Sequence, residues 1–165
     1  MDARPAQLDS PVLPRLFKYT GKAWVAVYRL TRGRIGGKWR IGAGWRKPVP
    51  VLLLDHRGRK SGRQYTVPVL YVEHGSSLVV VASQGGRAEH PQWYRNLVAS
   101  PETSVQVRGS RRAVRAAVAT GAERAELWEL AVSVYADFAT YQSWTDREIP
   151  VIVLSPLDRS SRTRP

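Results

Sequence analysis

Three segments of the chain carry side chains whose types and spacing suit chemistry. The first is HRGRKSGR, residues 56–63, where Arg57, Arg59, Lys60 and Arg63 share a tight turn with Gly58, Gly62 and the hydroxyl of Ser61. Glycines let a ligand approach the backbone and the cations neutralise phosphate or carboxylate, so the turn suits an anion. It is not a Walker loop, because GxxxxGK[ST] is absent and no helix clearly follows. A solvated turn between strands would carry the same residues. The second is VVVASQGGRAEHPQWYRN, residues 79–96: an apolar strand runs into Ala82, Ser83, Gln84, Gly85 and Gly86, after which Pro91 leads a helix bearing Trp93, Tyr94 and Asn96. Small residues at a strand end before a helix N-terminus form a shelf where a flat or anionic group meets N–H donors. Core packing under a loop accounts equally for at least one of the aromatics. The third is SVYADFATYQSWTDREIP, residues 133–150, in which Tyr135, Phe138 and Tyr141 recur every third residue with Trp144 nearby. On a helix they fall near one face and could wall a cavity. A tyrosine hydroxyl gives a proton or hydrogen bond to a developing oxyanion. The same spacing also serves an ordinary core, while Gln142, Ser143, Thr145, Asp146 and Arg147 suit a segment leaving it.

These segments need a scaffold, and the hydropathy pattern supplies one. From Pro48 onward, VPVLLLDH, QYTVPVLYVEH, SLVVVAS, TSVQVRG, RRAVRAAVAT and PVIVLS are short β-branched runs separated by turn residues. Six such strands predict a small barrel or strongly coiled sheet. HPQWYRNLVASP and GAERAELWELAVSVYADF interrupt them as helices, so the fold class is α+β, β-dominated. Ahead of the strands, Leu13, Leu16, Phe17, Thr20, Trp24, Val27, Tyr28 and Thr31 predict an amphipathic helix over 12–32, with Ser10 before Pro11 as its start signal. A glycine-rich basic stretch bearing Trp39 and Trp45 follows. Two readings of this region stand: a helix capping an open barrel mouth, or a helix and loop touching an anionic membrane surface.

The whole chain has 165 residues, enough for one domain with a substantial core. Its parts are expected to be a flexible N-terminus over 1–11, a single domain over 12–156 including the helix, and a disordered tail over 157–165. There are 26 Lys+Arg against 13 Asp+Glu, a net charge of +13. Residues 1–47 carry +9, residues 48–120 carry +6 and residues 121–165 carry −2, so the basic character lies in the first two thirds. Such a surface attracts anionic partners. Without cysteine, disulfides, thiol nucleophiles and Cys-ligated metals are excluded. His56, His74 and His90 show no ligand spacing, so no metal is expected. No run is long and apolar enough for a membrane span and the start lacks a signal core, which makes cytoplasmic the expected location, with a peripheral seat at the inner face of the cell membrane as an option.

Taken together, GRKSG, VVVASQGGRAEHPQWYRNL and YQSWTDREIPVIVL resemble the deazaflavin (F420)-dependent nitroreductases and F420H2-dependent quinone reductases, from about Phe17 to Pro156. The resemblance implies a six-stranded split β-barrel, FMN-binding-like, with surrounding helices. It implies coenzyme F420, a 5-deazaflavin with a phospholactyl and oligoglutamate tail, as hydride donor to a menaquinone-like quinone or an activated nitro or unsaturated compound. By analogy Arg59, Lys60 and Ser61 hold the phosphate and glutamates, assisted by Arg57 and Arg63. Ala82, Ser83, Gln84, Gly85 and Gly86, with Pro91, Trp93, Tyr94 and Asn96, position the ring. Ser83 and Tyr141 are the candidates for stabilising or protonating the acceptor oxygen, and Trp24, Tyr135, Phe138 and Tyr141 line the substrate pocket. The chain departs from the best-known nitroreductase of the family in four places. Phe138 replaces a tyrosine, Gln84 and Tyr65 replace basic residues, and Leu70 replaces another tyrosine. Arg63 and Arg87 are expected to make up the lost cations. A non-catalytic F420 carrier and an FMN-dependent oxidoreductase share the expected fold. A basic nucleic-acid-binding module is the rival of another class, disfavoured because the aromatics sit in helices and glycine loops rather than on strand faces. Oligomeric state is not legible.

Overall fold

The run Val51–Leu54 is buried at every position, which an ordinary two-faced strand could not achieve. In the computed structural model, which describes residues 13–45 and 47–157, the reason is a barrel covered from outside. The expected flexible N-terminus, the Ser10–Pro11 start signal and the tail beyond Leu157 lie outside the described residues. The strands are β1 (Lys38–Trp39), β2 (Val49–Arg57), β3 (Gln64–His74), β4 (Ser77–Val81), β5 (Glu102–Val107), β6 (Ser110–Val118) and β7 (Val151–Pro156). Their order is β1-β2-β3-β4-β7-β6-β5. Leu53 opposite Gln106 and Leu54 opposite Val105 join β2 back to β5. Six antiparallel strands thereby close into a barrel without a free edge, as expected, and β1 is an addition to them. Two residues are too short for any periodicity, so β1 gives no sequence signal.

Alternation sorts the side chains. Leu52, Leu54, Leu78, Val80, Val105, Val114, Ile152 and Leu154 fill the interior. Each buried Leu or Val is worth about 2 kcal/mol relative to exposure. The outward neighbours on β2, β4 and β7 are covered by helices. Helix α1 (Leu13–Leu30) lays Val25 and Tyr28 on Val51 and Leu53. Helix α3 (Gly121–Val134) lays Leu127 on Val79 and Val151, and its Ala131 packs in the cluster that includes Val49 and Val81. Helix α2 (Gln92–Ala99) closes one end of the barrel, with Trp93 and Leu97 joined to the interior cluster.

The expected single helix from Gly121 to Phe138 is two. Helix α3 stops at Val134, Tyr135 is extended at φ −139°, and α4 (Asp137–Ser143) begins afresh. The β-branched and polar residues Val132, Ser133 and Val134 are weak helix formers. Asp137 also has a task elsewhere: its Oδ2 accepts from the N–H of Ala43 at 3.0 Å, tying α4 to the 3₁₀ turn Gly42–Trp45.

Candidate active site

Between α1 and the α3–α4 bend, the outer face of β2, β3 and β4 floors a cavity of about 560 Å³. Val51, Leu70 and Val81 lie in that floor, Trp24 and Trp39 form one wall, and Tyr135, Phe138 and Tyr141 form the adjoining one. The two tryptophans stack at 5.8 Å and Trp24 Nε1 donates to the carbonyl of Gly36 at 3.0 Å, so the wall is rigid at both rings. Third-residue spacing alone rotates successive side chains by about 60° around a straight helix. The bend at Tyr135 offsets that drift and gathers the three rings, with centroids 5.1, 6.3 and 6.4 Å apart.

The phenols are linked. Trp39 Nε1, which can only donate, gives a hydrogen bond to the Tyr135 hydroxyl at 3.3 Å, and that hydroxyl stands 3.2 Å from the hydroxyl of Tyr141. Burial pushes both phenols above their ordinary range. Either hydroxyl can donate to the other, and both line the cavity.

The third wall is the turn after β4. Ser83 is right-handed at φ −70°, while Gln84, Gly85 and Gly86 are left-handed at φ 49°, 62° and 73°. A right-handed residue followed by a left-handed one aims successive N–H groups into one concavity. Ser83, Gln84 and Gly85 line the cavity, whereas Ala82 and Gly86 are buried behind it. A Cβ on Gly86 would lie 2.7 Å from the carbonyl oxygen of Tyr141, so glycine is what lets the turn touch α4. Arg147 pins the same turn. Its guanidinium donates to the carbonyls of Ser83 at 2.8 Å, Arg87 at 2.9 Å and Ala82 at 3.2 Å. Another N–H meets His90 Nδ1 at 3.2 Å. Gln142 in turn holds the segment bearing Arg147, donating to the Arg147 carbonyl and accepting from the N–H of Ile149. Neither role is visible in sequence, where Gln142 and Arg147 are simply polar residues following the aromatic trio.

Pro91 and Trp93 line the cavity mouth beside Gln92 and Arg87. Gln92 connects this mouth to the basic turn, because Arg59 Nη1 donates to its Oε1 at 2.8 Å. The turn is internally braced, with Gly62 N–H bonded to the Gly58 carbonyl at 2.7 Å and Gly58 N–H to the Arg63 carbonyl at 2.8 Å. Arg57, Lys60, Ser61 and Arg63 are exposed on it. Ser61 Oγ stands 3.3 Å from the Tyr65 hydroxyl. Two expected ring-positioning residues are not in the cavity wall. Tyr94 packs against His90 at 4.9 Å, and Asn96 is buried beneath the basic turn. Its Oδ1 accepts from the Arg59 N–H at 3.2 Å, which turns its amide N–H toward His56 Nδ1 at 2.9 Å. His56 Nδ1 is thus an acceptor, and burial holds the ring below its ordinary pKa of 6.5 despite the opposing pull of Asp55.

A closed six-stranded barrel with a largely apolar cleft on its outer face, linked through the Arg59–Gln92 bond to a cationic turn, is a protein of the split-barrel class. A family model described as F420H(2)-dependent quinone reductase matches residues 20–156, and the chain belongs to that family. An F420H(2)-dependent quinone reductase of Mycobacterium tuberculosis is 37% identical over 133 residues, 79% of this chain and 85% of its own. A second M. tuberculosis relative, named within the same family, is 56% identical over 117 residues, 71% of this chain and 98% of its own. The solved F420-H2 dependent reductase FDR-A matches with TM-score 0.60 and 40% identity, covering 64% of this chain and 94% of that one. Another solved structure, described as a domain-swapped dimer, matches with TM-score 0.62 and 35% identity over 81% of this chain and 98% of its own.

Proposed function

We propose that the protein is an F420H2-dependent reductase that delivers a hydride to a quinone of the menaquinone class, the nitro or unsaturated acceptors being secondary. The observation that carries this reading is the continuity of the cleft with the basic turn through the Arg59–Gln92 bond. The residues present fit the coenzyme. Gln84 Oε1 is buried with no hydrogen-bond partner beside a concavity of N–H groups, which suits the alternating N–H and carbonyl edge of a deazaflavin pyrimidine. Arg59, Lys60, Ser61 and Arg63, with Arg57 behind them, would hold the phosphate and glutamates, and Arg87 at the mouth offers one more cation. Ser83, Gln84, Gly85, Pro91 and Trp93 would hold the ring, backed by Ala82 and Gly86, while Tyr94 and Asn96 support the shelf and turn from behind.

Bound there, the reduced coenzyme supplies the hydride. The chain supplies place and proton. Trp24, Tyr135 and Phe138 form an apolar slot that orients a flat acceptor and excludes water from it. Tyr141, with Tyr135 donating to its oxygen, is aimed to protonate the acceptor oxygen as charge develops. Ser83 also lines the cavity, as a second hydroxyl. A menaquinone-class acceptor dissolves in lipid, which supports a protein that works peripherally at the inner face of the cell membrane from the cytoplasm. Among the described residues no helix is long and apolar enough to cross a membrane.

The test is titration with F420 and with flavin mononucleotide, followed by anaerobic mixing of the reduced F420 complex with a menaquinone analogue. Selective F420 binding and acceptor-dependent return of the oxidised deazaflavin absorbance are expected. Binding without reoxidation by any quinone would make the protein a carrier, and absence of F420 binding would remove the reading.

A further inference from the structure

A second cavity, about 690 Å³, opens where the end of α1 meets the turn between β5 and β6. Arg32, Arg34, Lys38, Arg40 and Arg108 line it, and no carboxylate does. Among the described residues, none of the five is paired with an acidic side chain. Five exposed cations around one concavity repel each other, and an anion seated among them relieves that repulsion. This is not the basic turn of the active site. The cavity touches β2 at Pro50 and Val51, whereas the turn follows Arg57 at the strand's other end, about 20 Å away at the rise of a strand.

The site is also built with care in its backbone. The fully buried Tyr28 hydroxyl accepts from the Arg108 N–H at 2.8 Å and donates to the Val51 carbonyl at 3.0 Å, joining three elements beneath the cavity. A Cβ on Gly33 would lie 2.8 Å from Arg108 Cα, so the two lining loops touch backbone to backbone. Arg32 and Arg108 both hold left-handed backbone, at φ 52° and 54°. That conformation costs energy in any residue but glycine, and it persists where the surroundings impose it, commonly at ligand sites.

The chain that supplies the cations tells which anion. Leu30 is 86% exposed, Ile35 61%, Ile41 63% and Trp45 76%, and in sequence they interleave with or flank the lining residues Arg32, Arg34, Lys38 and Arg40. Large apolar side chains interleaved with Arg and Lys suit the boundary between headgroups and acyl chains, and a phosphate free in solution has no use for them. We propose that this cavity is a phosphate site for the headgroup of an anionic phospholipid, with Leu30, Ile35, Ile41 and Trp45 entering the acyl boundary. The proposal deepens the membrane-surface reading and is independent of hydride transfer.

The experiment is flotation of the full chain with vesicles of phosphatidylcholine alone or mixed with phosphatidylglycerol. Binding to the mixed vesicles only is expected, and Arg34→Gln with Arg108→Gln should weaken it about 30-fold, two cations' worth of attraction at an anionic surface. Arg112→Gln with Arg115→Gln removes the same charge from β6 and should change it by less than about threefold. F420 affinity, unchanged in the first double variant, certifies its fold; Arg34→Gln with Arg40→Gln repeats the test without touching the strained Arg108. Equal loss in the cavity and β6 variants would mean general charge attraction and overturn the site. Undiminished binding in both cavity variants would overturn the site and leave surface contact standing. Absence of any binding to mixed vesicles would overturn both. Tight calorimetric uptake of inorganic phosphate that releases the vesicles would replace the lipid with a soluble phosphate source.

Discussion

At the scale of single residues, the two phenols are distinguishable by what they touch. Both line the cavity; Tyr135 also receives a bond from Trp39, and in the proposed reaction Tyr141 gives the proton with Tyr135 supporting it. Tyr141→Phe should therefore lower kcat about 100-fold, the usual scale of a lost general acid, with F420 affinity retained. Tyr135→Phe should lower it only several-fold, because Tyr141 keeps its proton and loses a supporting donor. Stopped-flow reoxidation measures both, and equal losses would contradict the assignment. His56 gives a second prediction. Its folded pKa lies below the ordinary 6.5, so the unfolded chain takes up the proton more readily. The stability this neutral ring contributes is complete above 6.5 and is lost as pH falls from there toward the depressed folded value. His90, also held low by burial and by Arg147 and Arg95, adds to the same window. Thermal unfolding followed across that window should show Tm falling with pH, and the slope should be shallower in His56→Gln.

Elements meet at the turn after β4, and there geometry leaves little room. Gly86 combines a positive φ of 73° with a Cβ position 2.7 Å from backbone of α4. Gly86→Ala should push α4 off the turn, separating the Tyr135–Tyr141 wall from Gln84 and Gly85. The expected result is at least tenfold weaker F420 binding by fluorescence titration in a protein that still folds, on the order of a 1.4 kcal/mol loss. Arg147 is the opposite case, a side chain that replaces backbone pairing for three carbonyls. Removing it in Arg147→Ala strands those acceptors and should destabilise the fold by about 3 kcal/mol in urea denaturation. Arg147→Lys should rescue little, since an ammonium lacks the planar fork.

The whole molecule carries +13, and the basic turn and the basic second cavity lie at opposite ends of β2. The departures at Gln84 and Tyr65 leave the active-site end short of cations by comparison with the best-known nitroreductase. Arg63 is exposed on the turn and Arg87 lines the cavity, and we propose that they make up the lost cations. Arg63→Ala together with Arg87→Ala should weaken F420 binding more steeply at low salt than at high salt, where screening already discounts exposed charge. Affinity unchanged at low salt would assign the tail elsewhere.

The six strands were legible because alternation and β-branched runs are local properties, and a barrel is the way six short strands avoid free edges. The net charge, the glycine-rich turns and the aromatic triplet were equally open to reading, since each depends on residues adjacent in the chain. What tertiary structure decided is where those local features meet. That Val51–Leu54 is buried on both faces follows from α1 lying outside the barrel, and the cleft consequently sits on the outer face. That Asn96 holds the basic turn from below, rather than lining the cleft, follows from a bond across 37 residues to Arg59. Trp39, Gln142 and Arg147 acquire their roles from partners 96, 7 and up to 65 residues away. Pairing at such separations depends on how the closed barrel brings distant segments together, and no periodicity of the sequence encodes it.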